Sequence, residues 1–411
     1  MLYHQIATIM KKAILLAAAA LISVGSFAQK EKKKEEVKPE GYKFTIVKQV
    51  PGTPVKDQFR SGTCWSFSGL GFVENELLRM GKGEYDLSEM WLVRNCYAAK
   101  AEKYVRLQGN FNFGGGGGSF DIFWVMNNFG FVPEEAYAGL QYGEPKHVHG
   151  ELDALAKSYV DVIVKNPNKK LSTAWKKGFD GILDAYLGVK PEKFTYKGVE
   201  YTPASFAKSL ALNPDDYISF TSYTHHPFYS KFILEIPDNW LWEESYNIPM
   251  DEMEQIIDNA INTGYTVNWG ADVSEKGFQY NKGVAVIPQT DVAVLSNSEK
   301  AKWTELTAKE RESMFYNLEK PVVEQTIIQE MRQVAFDNYQ TTDDHGMVIE
   351  GIAKDQLGNK FYLVKNSWSA DGIYKGYFYA SRPFVQYKTM NIMVHKNAIP
   401  LEIQKKLGLV K

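Results

Sequence analysis

The sequence predicts an α+β fold, on three observations. Apolar residues recur at helical spacing from Cys64 to about Met80, and they alternate at strand spacing over roughly the last hundred residues. Between them, about Gly150 to Leu212 is mainly helical with one hairpin. At 411 residues, 44% of them hydrophobic, the chain can fill a core of two or three packed layers.

At the N-terminus, Lys11 and Lys12 precede the apolar run Ala13 to Val24, and Ser26-Phe27-Ala28 sets small residues two apart. Residues 1–28 therefore read as a secretory signal cleaved after Ala28, and the protein is expected to be exported, periplasmic or secreted. The run falls short of the roughly 20 residues that span a bilayer, and no later segment has an apolar run of that length, so no membrane span is expected after signal removal. Residues 29–44, with "KEKKKEEVKPEGYK", mix both charge signs and carry Pro39 and Gly41, the composition of a solvated linker. The domain proper is expected at 45–411, with a net charge of about −4 for the mature chain that offers nucleic acid no bulk attraction.

Cys64 opens the first helix, in which Trp65, Phe72, Val73, Leu77 and Met80 share a face and Gly81 and Gly83 end it. Ser88 caps a second helix, "EMWLVRNCYAAKAEKY", with Cys96 in its interior and expected in the core. Gly114 to Gly118 form a loop before a third helix, Phe120 to Phe129, stopped by Gly130. This is no phosphate loop, since the Gly-Lys-Ser/Thr ending and the preceding strand are both missing. It reads either as a flexible turn or as a backbone surface that a ligand approaches closely.

An insertion is expected at about 145–215, from "ELDALAKSYVDVIVK", "TAWKKGFDGILDAYLG" and a hairpin about Lys197-Gly198. A helix near Met250 to Asn262, the strand "YTVNWGADV" and further helices from Thr304 to Tyr339 follow. The strands "HGMVIEGIAK" and "KFYLVKNSW" flank the turn "DQLGN", and centring that hairpin on Gln356 sets His345 opposite Asn366 within a residue or two.

A free cysteine is usually a small buried hydrophobe. Reading Cys64 as a nucleophile requires a proton carrier, a group to orient it, and donors for an oxyanion. Of seven histidines His345 fits best: His4 lies in the signal, His147, His149 and His395 sit in polar surroundings, and His225 and His226 remain as competitors. The hairpin register sets the Asn366 amide beside His345, where it can hold the imidazole. The pairs His147/His149 and His225/His226 lack a third ligand at any Cys or His spacing, so neither metal nor cofactor is expected. With two cysteines in an exported chain, either the two form one bridge or at least one stays free for chemistry.

The blocks "QFRSGTCW", "DDHGMVIEGI" and "VKNSWSADGIYKGYFY" resemble the three signature blocks of papain-like cysteine peptidases. "YDLSEMWLVRNCY", "GGSFDIFWVMNNFGFVPEEAY" and the 281 residues from Cys64 to His345 resemble the bleomycin hydrolase and aminopeptidase C branch, and the likeness covers most of residues 45–400. The resemblance implies a papain-like two-lobed fold, with a helical lobe carrying the cysteine helix and a β-barrel-like lobe carrying the histidine and asparagine. It implies Cys64 as nucleophile, His345 as general acid/base, Asn366 as its orienter, and Gln58 as oxyanion donor with the Cys64 backbone N–H. Gly117 and Gly118 match the pair that binds the substrate backbone, and Trp368 is implied to shield the His345–Asn366 bond.

A helix start and an imidazolium partner can bring a cysteine pKa to about 3 to 4, and Asp344 is expected to favour the charged imidazole. Ser61 stands where the family signature has a cysteine, which removes a disulfide partner and leaves Cys96 free. The implied activity is hydrolysis of peptide substrates through a Cys64 thioester, as an aminopeptidase, and the branch also implies a homo-oligomer, a hexamer. The competing readings are a papain-type endopeptidase with an unblocked cleft, a catalytically silent peptide-binding protein on the same fold, and a Cys-His-Asn acyltransferase.

In that branch the C-terminal carboxylate reaches into the cleft and pairs with the substrate amino group. Here only eleven residues follow Pro400, and "LEIQKKLG" looks helical, advancing about 1.5 Å per residue. The tail is expected to block weakly or not at all, so N-acetylated and internal peptide bonds should be cut beside free amino ends. Comparing free and acetylated peptides with and without residues 404–411 checks this. Strict refusal of acetylated peptides, relieved by the truncation, would show that the tail does reach the site.

Overall fold

The computed structural model describes residues 41–168, 170–290 and 296–410. The signal expected at 1–28 and the linker up to residue 40 lie outside the described residues. The first strand is β1 (Phe44–Gln49), followed by α1 (Cys64–Arg79), α2 (Glu89–Arg106), α3 (Phe120–Phe129), α4 (Gly150–Val164) and α5 (Ala174–Leu187). A hairpin, β2 (Phe194–Tyr196) and β3 (Val199–Tyr201), leads into α6 (Pro203–Leu210). Local chemistry sets these boundaries. Ser88 Oγ accepts the Trp91 N–H at 3.0 Å to start α2. Lys197 and Gly198 take φ of 49° and 80°, the two left-handed positions of a tight hairpin turn.

Beyond these come β4 (Tyr217–Thr221), β5 (Lys231–Ile233), β6 (Glu244–Asn247), α7 (Met250–Thr263), β7 (Val267–Ala271), β8 (Phe278–Gln279) and β9 (Val284–Ala285). Then α8 (Asn297–Lys302), α9 (Ala308–Tyr316), α10 (Gln329–Asp337), β10 (His345–Asp355), β11 (Lys360–Lys365), β12 (Tyr377–Ser381), α11 (Arg382–Lys388), β13 (Thr389–His395) and α12 (Leu401–Lys406) complete the order.

Two apolar cores define two lobes. One joins Leu70, Phe72, Trp91, Phe123, Phe179 and Phe206 from α1 to α6, so the segment between about 145 and 215 shares the core of the first three helices. The other joins Ile256, Trp269, Tyr362, Phe384 and Ile392 around the second lobe's sheet, whose order is β5-β6-β4-β13-β7-β10-β11-β12-β9-β8 with β1 added on β10. Among the described residues no helix is long and apolar enough to cross a membrane.

The long strand β10 ties the lobes together. Val348 pairs with Lys365, within the expected register, and a bulge between Ile349 and Gly351 slips the rest of the hairpin by one residue. The extra residue is Glu350, fully buried. Its carboxylate accepts Asn75 Nδ2 of α1 at 2.7 Å and the Tyr377 hydroxyl at 2.9 Å, and it lies 3.3 Å from Lys365 Nζ. That ammonium also donates to the Thr53 carbonyl at 2.9 Å, so the charge is solvated by protein on both sides. At the strand's other end Gly346 lets α1 lie directly on the backbone: a Cβ there would come 2.6 Å from Ser68 Oγ and 3.2 Å from Trp65 Cα.

The tail packs on the second lobe. Ile403 is buried in that lobe's core with Leu407 and Leu409 beside it, and Lys406 pairs with Glu252 of α7. Lys411, on which the tail argument turns, lies outside the described residues.

Removing one partner of the buried pair leaves an uncompensated charge. Lys365→Met is expected to cost about 3–5 kcal/mol of stability in urea denaturation. A loss below about 1 kcal/mol would show that Asn75 and Tyr377 alone suffice to hold Glu350.

Candidate active site

Cys64 is the first residue of α1, where the helix's unsatisfied N–H groups point outward. Its Sγ lies 4.0 Å from the Asp344 carbonyl and faces the backbone N–H groups of Gly346 and Trp65. His345 is the first residue of β10, and Asn366 follows the end of β11. The imidazole Nε2 lies 2.7 Å from Asn366 Oδ1, which also accepts the Ser367 N–H at 2.8 Å. Because that oxygen accepts, Nε2 carries the proton and Nδ1 keeps its lone pair in the neutral ring. The Trp368 ring stacks on the imidazole, 4.8 Å between centroids, and is held edge-on by Tyr280 and Phe278.

Cys64 and His345 line one pocket, together with Gly117, Gly118, Asp238, Asn268, Asp343 and Asn391. Gln58 is buried beside the Asn366–Trp368 stretch: Oε1 accepts the Ser367 hydroxyl at 2.6 Å and the backbone N–H donates to the Ser367 carbonyl at 2.8 Å. The Nε2 amide has two protons and donates one to the Ser61 carbonyl at 2.8 Å. Ser367 was missed in the sequence because a serine between Asn366 and Trp368 carries no chemistry of its own. Ser61 donates to the Gln58 carbonyl at 2.8 Å and shares a bond with the Thr63 hydroxyl, so polar contacts brace the loop. Cys64 and Cys96 are both free, Cys96 buried inside α2.

The glycine loop is packed. Trp65 Nε1 donates to the Gly115 carbonyl at 2.8 Å, and Lys100 Nζ binds the carbonyls of Gly114 and Gly116. A Cβ on Gly116 would collide with the Asp238 carboxylate, and one on Gly117 with Asp121 and the Trp65 ring. A Cβ on Gly118 would meet only the Phe120 ring, at 4.0 Å, and the Gly118 N–H donates to Asp121 at 2.8 Å.

The papain family cysteine protease profile matches residues 43–197, and the peptidase C1-like family profile matches residues 315–409, so the two carry the cysteine and the histidine-asparagine halves respectively. In both halves the chain is similar to papain-type cysteine peptidases. Over 393 residues it is 23% identical to aminopeptidase C of Streptococcus thermophilus, covering 85% of this chain and 81% of that one. Aminopeptidase C of Lactococcus lactis subsp. cremoris is 20% identical, with 85% and 82% covered. The crystal structure of PepW from Lactobacillus rhamnosis shares the fold, with a TM-score of 0.65 at 19% identity over 89% of this chain and 85% of that one.

The charges in this papain-like cleft depart from the sequence expectation. Burial pushes the Cys64 thiol up to about 12, with the charges of Asp343 and Asp238 adding to it. Burial holds His345 down to about 4 against the Asn366 bond that raises it. Asp344 does not assist the imidazole, because its carboxylate turns away to accept the Val273 N–H at 2.9 Å. Each group by itself favours its neutral form. Joint ionisation gains the N-terminal field of α1 and the attraction between the two new charges.

Asp238, Asp343 and Asn268 carry no motif and were not found in the sequence. Only the adjacency of Asp343 to Asp344 and His345 hinted at one of them. Burial, with Asp238 and Asp344 nearby, raises Asp343 to about 8. Among the described residues the other histidines lie outside the pocket lining. His147, His149 and His395 are buried, with Phe67 against His147, Tyr142 against His149, and Tyr217 and Tyr265 against His395, which keeps the polar neighbour Asp216.

Asp343 opposes the thiolate only when ionised, above pH about 8. Alkylation of Cys64 by iodoacetamide is therefore expected to run equally in wild type and Asp343→Asn at pH 6, and faster in the variant at pH 9. Equal rates at both pH values would remove Asp343 from the field at Cys64.

Proposed function

We propose that this protein is a cysteine aminopeptidase, hydrolysing peptides from their free amino end through a Cys64 thioester. The observation that carries the reading is the joining of Cys64 at a helix start with a His345 ring fixed by Asn366, in a pocket that also holds carboxylates. His345 Nδ1 takes the thiol proton as Sγ bonds to the substrate carbonyl carbon. The imidazolium then gives that proton to the departing amine as the C–N bond breaks. A water, deprotonated by the same nitrogen, adds to the thioester carbon and expels the thiolate, which recovers the proton. The Cys64 N–H and Gln58 Nε2 receive the oxyanion, and Trp368 keeps water from the His345–Asn366 bond.

The aminopeptidase C relatives support the exopeptidase reading. So does the pocket: Asp238 and Asp343 are placed to receive a substrate ammonium, while the described part of the tail packs elsewhere. Among the described residues no part of the tail lines the pocket, which favours a second reading, in which internal bonds are also cut. Lys11, Lys12 and the apolar run after them support export of the enzyme.

Cys64→Ala should abolish hydrolysis with the fold intact, and Cys96→Ala should leave it largely unchanged. Retained turnover in the first variant would end the proposal. Gln58→Ala should lower kcat by roughly 10² to 10³ with little change in KM, the usual cost of one oxyanion donor. A raised KM at normal kcat would make Gln58 a ground-state contact instead.

For peptides with a free amino end, kcat/KM should rise through pH 7 to 8 as Asp343 ionises, and fall again as the substrate amine, of pKa about 8, loses its proton. N-acetylated peptides should not show this narrow optimum. The same profile for both substrates would mean that the carboxylates do not read the amine.

A further inference from the structure

The adjacent histidines His225 and His226 take no part in the chemistry above. In the sequence they lacked a third ligand, and the fold supplies one. The chain leaves β4 at Thr221, and β5 ends at Ile233, two residues before Glu235. Both strands pair with β6, β4 parallel and β5 antiparallel, which returns Glu235 over the histidines.

His225 Nε2 lies 3.2 Å from Glu235 Oε2. One ligand atom from each of His225, His226 and Glu235 lies within 4.8 Å of the others. Metal bonds of about 2.0–2.2 Å in tetrahedral geometry set ligand atoms a little over 3 Å apart, the separation seen between His225 and Glu235. Small side-chain rotations close the two edges to His226, and Glu235 is exposed enough to make them.

The rings are already held as ligands need to be. His225 Nδ1 faces the Gln333 amide at 3.1–3.3 Å. Gln333 Oε1 accepts from the Thr224 N–H, and Nε2 donates to Asp337 at 2.9 Å. The tautomer in which Nδ1–H donates to Gln333 Oε1, at 3.3 Å, frees the Nε2 lone pair for a metal on the Glu235 side, as an outer partner does in metal sites, while the amide nitrogen at 3.1 Å serves the other tautomer. His226 stacks on Phe232 with 4.3 Å between centroids, and its carbonyl accepts Asn247 Nδ2 at 2.9 Å.

We propose that His225, His226 and Glu235 bind a divalent transition-metal ion of the zinc class, with the fourth position open to water. Two imidazoles and one carboxylate favour such an ion over calcium or magnesium. The site has a structural consequence at the cleft. Glu235 directly precedes Ile236, which with Asp238 and Asn239 lines the pocket of Cys64. A bound ion therefore pins one wall of that pocket to the loop after β4.

Zinc-class ions also bind thiol–imidazole pairs, so the test uses the chelator-treated Cys64→Ala chain. Titration with Co²⁺, read by its visible absorption, and with Zn²⁺, read by calorimetry, is expected to show one equivalent bound and a raised melting temperature. Adding His226→Ala or Glu235→Gln should weaken binding at least tenfold, and Gln333→Ala by about 10- to 100-fold. His149→Ala should change nothing. Circular dichroism confirms the fold of each variant, and His226→Gln repeats the measurement where His226→Ala fails to fold. Absence of binding in the Cys64→Ala chain, or binding indifferent to His226 and Glu235, would overturn the proposal and leave His225 and Glu235 as a surface ion pair.

Discussion

Everything at the site depends on how closely α1 lies on β10. Two residues of the strand fix that contact from opposite ends. Gly346 removes the side chain that would hold the helix start away, and the bulged Glu350 reaches inward to Asn75 near the helix end. Between them Val348 joins the helical lobe's core. Because Cys64 begins the helix and His345 begins the strand, this one docking sets the nucleophile and the base at the same mouth. Ordinary burial of α1's apolar face does the work of active-site assembly.

The same closeness carries an electrostatic cost. Packing helix against strand removes water from Cys64 and His345, which moves both towards neutrality, and it brings three aspartates to the rim. In a cleft of this kind charge is stabilised by backbone N–H groups, by the helix end, and by whatever cation the substrate brings. A free amino terminus is such a cation. On the proposed function, the acidity that burdens the thiolate would become favourable once a peptide's ammonium is seated, which would couple binding to activation through one field.

The glycine loop shows how neighbouring segments share this arrangement. Its carbonyls are turned towards Trp65 and Lys100, and its missing side chains make room for Asp121 and Asp238. Asp238 lies on the same short segment as Glu235, so the loop, the acidic wall and the histidine pair after β4 form a continuous chain of contacts. A change at any one of them alters the shape of the pocket.

Much of this was determined by the sequence itself. Helical periodicity and the capping signal at Ser88 are local, so α1, α2, α3 and the insertion helices α4 and α5 were legible to within a residue or two. The pairing of β10 with β11 was legible as well, because a hairpin's register follows from its turn, and with it the neighbourhood of His345 and Asn366. What the tertiary structure decided was everything that rests on segments distant in the chain. The Asp238–Asp343 wall, the Ser367 bond that orients Gln58, the turning of Asp344 towards Val273, the burial of His147 and His149, and the approach of Glu235 to His225 have no periodicity and no spacing. They exist only because strands from different parts of the chain exit the sheet side by side. Hydrogen bonds and charges act over a few ångströms of space, and a sequence records separation along the chain.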